Sequence, residues 1–220
     1  WVRRNSVISY RYDRHLDIVG DVQNLEQRWK VSLSTRSASD RLRVKWLMWL
    51  LTTTLHDLRD RVTRAIYWFG RGEPSALFKI AAQAADINDP YIFERMLAAS
   101  YGVAMACHCD PKTREFRKTT LPDFARNIFD LLFRVDAPFR TTHMQTREYG
   151  RRIIELATYH NRKLFSKAEV LRSRPPFSDG GRIAWQDIET EGEVVRGADS
   201  PFRMDFENYT LGRLVEGRGN

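Results

Sequence analysis

The stretch Asp86–Asp110, "DINDPYIFERMLAASYGVAMACHCD", decides how the chain is read. It gathers carboxylates, two tyrosines, two cysteines and a histidine, so it is either a reactive site or a well-built helix. Asp89-Pro90 answers half of that question. An aspartate can accept hydrogen bonds from the orphan N–H groups of a helix start, and a proline at the first helical position has no N–H to leave unpaired. Beyond it Ile92, Met96, Leu97, Ser100, Tyr101 and Ala104 recur on one face at the helical period. Ala98, Ala99, Gly102 and Ala106 are small enough to let a second helix come close. The stretch predicts a packed helix, not a catalytic centre.

The same reading extends outward in both directions. Ser39 as a cap, with Asp40 in the first turn, predicts a helix to about Thr53 whose buried stripe is Leu42, Trp46, Trp49 and Leu50. A second helix, His56 to Phe69, turns Leu58, Val62, Ala65, Ile66 and Phe69 inward and Arg59, Asp60 and Arg64 outward. "GRGEP" (Gly70–Pro74) is expected to end it with a glycine at positive φ. Pro74 then opens a third helix carrying Leu77, Ile80, Ala81 and Ala84. "DPKTREFRKTTLP" (Asp110–Pro122) reads as a polar linker, and Pro122-Asp123 as the start of a helix with Phe124, Ile128, Leu131, Leu132 and Val135 toward the core. "DAPFRTT" breaks that helix, and Met144 to Tyr159 forms another, with Tyr149, Ile153, Leu156 and Ala157 on one face.

Helix pairs starting near Asp40, Pro74 and Pro122 have the spacing of stacked two-helix repeats. The expected fold is mostly α: HEAT-like stacked helix pairs, an α-solenoid, over residues 39–172. Residues 1–38 would be an N-terminal linker or partial repeat, and 173–220 an irregular, partly extended C-terminal packing segment. "SVISYRYDRHLDIV" (Ser6–Val19) alternates enough to suggest a short extended piece. In the Pro- and Gly-rich tail, Ile183 with Trp185, and Phe202, Met204 and Phe206, alternate like short strands.

Composition narrows the classes of function. The 220 residues hold 36 Lys and Arg against 28 Asp and Glu, a net charge of +8. The cations are interleaved with acids, as in "LRDRVTR", which is how solvated helix faces look rather than a nucleic-acid footprint. No apolar run reaches the roughly 18 residues that cross a bilayer. "VKWLMWLLTTTL" (Val44–Leu55) is the nearest, and "HDLRDR" follows at once. No charged and then apolar opening suggests secretion, and two cysteines make no disulfide framework. A reduced, cytoplasmic protein without membrane association is expected. The opening at Trp1 and the close on "EGRGN" read as a piece of a larger protein.

Three phrases carry a resemblance: "RDRVTRAIYWFG", "DINDPYIFERMLAASYGVAMA" and the tail "SPFRMDFENYTLGRLVEGRGN". They resemble segments of large bacterial STAND NTPases of the AVAST antiphage kind, in which an effector, a P-loop NTPase core and a long C-terminal helical-repeat sensor follow one another. The likeness covers roughly Arg59 to Ala106 and the last 21 residues. It implies that this chain is part of the sensor, that its partner is a foreign (phage) protein, and that any oligomer forms through the parent protein. No G-x-x-x-x-G-K-[ST] loop occurs here, so NTPase activity would reside elsewhere. No catalytic residue and no cofactor is implied.

Candidate chemistry is thin. "CHCD" (Cys107–Asp110) offers two thiolates, an imidazole and a carboxylate, but a structural zinc takes four ligands from two half-sites and the chain has no further cysteine. Buried or idle thiols at a helix end are the expectation, and no metal. A cysteine nucleophile would need a histidine in space, with His143 or His160 as candidates. Glu94-Arg95, Arg147-Glu148 and Arg151-Arg152 read as exposed or inter-repeat ion pairs. Trp46, Trp49 and Trp68 sit in apolar stripes and are expected in the core. "KTREFRK" places Lys112, Arg114, Arg117 and Lys118 around Phe116, the best candidate contact for a partner or for nucleic acid. The favoured reading is a solvated loop with Phe116 packed on a helix. Protein recognition or scaffolding is therefore the expected function, a nucleic-acid-binding helical module the alternative, and catalysis is not expected.

Overall fold

A computed structural model describes residues 17–87 and 89–175, and its regular elements are all helical. In chain order they are α1 (Ile18–Val31), α2 (Ala38–Leu50), α3 (His56–Gly72), α4 (Pro74–Gln83), α5 (Pro90–His108), α6 (Leu121–Leu132), α7 (Met144–His160) and α8 (Lys167–Arg172). No strand occurs among the described residues. Most of Ser6–Val19 and the alternating positions of the tail lie outside them. The odd-numbered helices lie beside one another in chain order, α1 on α3, α3 on α5 and α5 on α7. Among the even ones, α2 packs against α3, α4 against α3 and α5, and α6 against α7 and α4.

Most helix starts follow the sequence. Asp89 accepts from the Tyr91 N–H at 2.9 Å with Pro90 beside it, and Pro74 opens α4. The inward residues expected of α3 are all buried, as are Ile92, Met96, Leu97, Ser100 and Ala104 of α5. Gly102 lets α3 approach, since a Cβ there would lie 3.2 Å from the Tyr67 ring.

Of residues 1–38, Ile18–Val31 form α1, started by Asp17, which accepts from the Gly20 N–H at 2.9 Å. Several other expectations are corrected. Ser37 rather than Ser39 caps α2: its hydroxyl accepts from the Asp40 N–H, and the Asp40 carboxylate accepts from the Ser37 N–H. This reciprocal box fixes Asp40 at the third helical position and the helix start two residues earlier. The buried face of α2 is then Val44, Leu47, Met48 and Leu51. Leu42 (68% exposed), Trp46 (41%) and Trp49 (56%) face outward instead. The helix is apolar on both sides, so periodicity alone cannot choose between them; packing against α3 does.

Gly70 and Gly72 do not end α3 at positive φ. Both are helical, and the cap is Glu73, at φ −147° and ψ 77°. Their role is room. A Cβ on Gly70 would sit 2.3 Å from Leu77 Cδ2 and 2.9 Å from Val103 Cγ2, and one on Gly72 would sit 2.6 Å from the Arg36 guanidinium. The polar linker Asp110–Pro122 is largely wound, with a 3-10 turn at Pro111–Thr113 and a π turn at Phe116–Thr120 that runs into α6. Val135 is 52% exposed, just beyond the end of α6.

Arg36, in the segment expected to be a linker or partial repeat, is 5% exposed. Its guanidinium donates to the Phe69 carbonyl (3.0 Å), the Trp68 carbonyl (2.6 Å), the Trp29 carbonyl (3.1 Å) and the Ser32 carbonyl (2.7 Å). These oxygens belong to the C-terminal ends of α1 and α3, where the helix dipoles are negative and a cation is favoured. One cation thus closes two helix ends, and it also lies 5.9 Å from the Trp29 and Phe69 ring centroids. Burial holds the guanidinium below its ordinary value, with the Asp40 and Glu73 charges opposing that shift and Arg28 adding to it.

Candidate recognition surface

The capping box that sets the register of α2 also sets what that helix shows to solvent. Leu42, Trp46 and Trp49 stand at i, i+4 and i+7, one stripe on the side opposite the buried residues. At ~100° per residue, Arg43 lies about 100° to one side of Leu42 and Lys45 about 60° to the other. Both are exposed. Asp40, the one acid of the helix, is turned to other work: it accepts from Trp29 Nε1 at 3.1 Å and pairs with Arg28. Hydrogen bonds from Ser37 and Trp29 and the Arg28 charge together outweigh its burial and hold its carboxyl below the usual range. Between α1 and α2 a groove of about 340 Å³ continues the stripe, lined by Asp21, Asn24, Leu25, Arg28, Arg43 and Trp46. An apolar ridge with a groove at its foot suits a packed partner surface.

The tryptophans expected in the core divide. Trp68 is half-buried against the core and Trp29, not singled out beforehand, is 1% exposed, whereas Trp46 and Trp49 are surface residues. The signal that could have sorted them is the S-x-x-D capping box, which fixes the phase of the helix.

Of the "KTREFRK" candidates, Phe116 is buried, 6.0 Å from the Phe78 ring, and cannot stack on a base. Arg117 donates to the carbonyls of His108 (3.1 Å) and Asp110 (2.7 Å), capping the end of α5. Lys112, Arg114 and Lys118 are exposed. The cluster splits into two structural residues and three exposed cations.

In "CHCD", Cys107 is buried and Cys109 exposed, and burial pushes the Cys107 thiol up, away from reactivity. Neither His143 nor His160 touches a thiol. His108 does: its Nε2 lies 3.0 Å from Cys109 Sγ and its Nδ1 lies 3.2 Å from His160 Nε2. Among the described residues no group of three metal-ligating side chains could hold an ion.

The His108–His160 contact has a pH consequence. Burial first, then the neighbouring His108 and Arg117, lower the His160 imidazole from its ordinary value. The unfolded chain therefore takes up that proton before the folded chain does, and its contribution to stability, present above about pH 6.5, is lost as pH falls through the folded value. The thermal midpoint should drop as pH falls below the ordinary histidine value of about 6.5, and His160→Gln should remove that step. Asp40, Glu148 and Glu169, also lowered, act in the same direction at more acid pH. A step unchanged in His160→Gln would assign it to another group.

Glu94 is not on an exposed face. It is 7% exposed, with His143 Nε2 at 3.5 Å, while Arg95 reaches across to Asp60 at 3.1 Å, an ion pair between α5 and α3. Arg151 bridges Glu148 and Glu155 within α7, and Arg152 also pairs with Glu148. The Arg95–Asp60 pair ties α5 to α3, and the Arg151 and Arg152 pairs lie within α7.

No protein-family model, curated protein or solved structure matches the chain.

Proposed function

We propose that this chain is a non-catalytic, HEAT-like helical module for protein recognition or scaffolding, and that the outer face of α2 is its contact surface. The observation that carries the reading is the exposed Leu42–Trp46–Trp49 stripe. Three large apolar side chains in one row on a monomer's surface lose water favourably when a partner covers them. The serial packing of α1, α3, α5 and α7 supports a solenoid, whose extended faces suit protein partners better than small substrates. The resemblance to AVAST-type STAND NTPases extends this to a cytoplasmic sensor segment that binds a phage protein on behalf of a larger antiviral NTPase. No helix among the described residues is long and apolar enough to cross a membrane.

Photo-crosslinking tests the reading. A benzophenone amino acid in place of Trp46 should give one protein adduct in phage-challenged cells, and the same probe in place of Tyr159, on α7, should not. Adducts that nuclease removes, or equal yields from both positions, would overturn it.

The exposure of Lys112, Arg114 and Lys118 favours the nucleic-acid alternative. Three scattered contacts supply only nonspecific binding, with dissociation constants around 10⁻⁴ to 10⁻⁶ M at physiological salt. A fluorescence-anisotropy salt titration should show this weak binding, little changed when all three are replaced by Ala. Nanomolar binding lost in that variant would establish the alternative.

A further inference from the structure

Resting on the recognition reading of α2, we infer the chemistry of what covers it: an amphipathic helix with an apolar stripe bordered by carboxylates. Charge complementarity around a fixed ridge selects it. Leu42, Trp46 and Trp49 repeat at the spacing that the apolar stripe of a second helix matches. The ridge is bordered by cations on both sides, Arg43 and Lys45, and the groove beside it adds Arg28. Arg43 is held only loosely, 3.4 Å from Asp40. Asp40 is 14% exposed and pairs with Arg28 and Arg43 from the rim of the ridge, so Lys45 is the border cation it does not pair with, and among the described residues Asp21 is the carboxylate lining the groove. A covering helix with basic borders would bring like charges together in a region losing its water, and that is costly. Acidic borders would meet Arg43 on one side and Lys45 on the other. The chain's net charge of +8 speeds the approach of such a partner. The same rule disfavours a second copy of this chain, because pairing α2 with α2 sets Arg43 and Lys45 against their own kind.

Two synthetic peptides of about 18 residues, long enough to hold a helix, test the proposal. Both carry Leu at i, i+4 and i+7; one has Glu at the bordering positions and the other Lys. Binding is read from the emission shift of the intact chain, with a Trp46→Phe/Trp49→Phe variant confirming which tryptophans report. The Glu peptide should bind at least about tenfold more tightly than the Lys peptide, and the advantage should shrink as salt shortens the Debye length. Arg43→Glu/Lys45→Glu should reverse the preference. Equal binding of both peptides would reduce the surface to nonselective stickiness and overturn the proposal, as would preference for Lys or no binding by either. A concentration-dependent dimer in sedimentation, abolished by Leu42→Glu, would name a second copy as the occupant. Protection of the stripe in the isolated monomer would name a segment of this chain. Failure of the peptides with a protein adduct still forming at position 46 leaves recognition standing and removes only the acidic helix.

Discussion

Arg36→Ala is expected to destabilise the fold by about 3–5 kcal/mol, the range found when one partner of a buried charged network is removed. The side chain is 5% exposed and donates to four backbone carbonyls, two at the end of α1 and two at the end of α3. Losing it strips those oxygens of charge-assisted donors and leaves a void against Trp29 and Phe69 that Gly72 does not fill. For a domain of this size each kcal/mol moves the midpoint by roughly 2–4 °C, so thermal unfolding should come about 6–20 °C lower. Arg36→Lys should recover only a minor part, since one ammonium cannot fork toward carbonyls from two helices. A loss under about 1 kcal/mol for Arg36→Ala would mean that the two helix ends do not depend on this cation.

The second large effect concerns binding rather than folding. Leu42→Glu/Trp46→Glu should leave stability within about 0.5 kcal/mol of the parent, as surface replacements do, because neither side chain belongs to the buried face of α2. It should nevertheless weaken the partner captured at position 46 by about 30-fold or more, the scale of losing one central aromatic anchor, since both replacements put negative charge where apolar area is to be covered. Calorimetric titration and a melting curve on the same protein separate the two effects. Melting well below the parent would return Leu42 and Trp46 to the core.

Much of the fold was legible in residues whose physics is local. Asp89-Pro90 and Pro74 announce helix starts because capping and the missing proline N–H act within one turn, and the α3 stripe is one-sided enough to leave no choice of face. The α2 face was not legible from periodicity, because Leu42, Trp46 and Trp49 compete with Val44, Leu47, Met48 and Leu51 and a 3.6-residue period fits both sets. The Ser37–Asp40 box held the deciding phase, and placing the cap at Ser39 lost it. Arg36 was hidden for another reason: its partners are 32 and 33 residues away in α3, and no spacing rule joins a cation to distant carbonyls. The His108–His160 contact spans 52 residues and is equally non-local. "KTREFRK" was legible in part, since Phe116 packs on its neighbours as favoured, while the capping role of Arg117 depends on where α5 ends.

That α2 turns an apolar, cation-bordered ridge to solvent is the claim on which both the function and the partner chemistry rest. Hydroxyl-radical footprinting of the intact protein, read residue by residue by mass spectrometry, measures it most directly. The account predicts that Leu42, Trp46 and Trp49 are oxidised rapidly while Trp29, 1% exposed, and Leu47 and Phe69, fully buried, are protected. Trp46 and Trp49 protected to the same degree as Trp29 would contradict it.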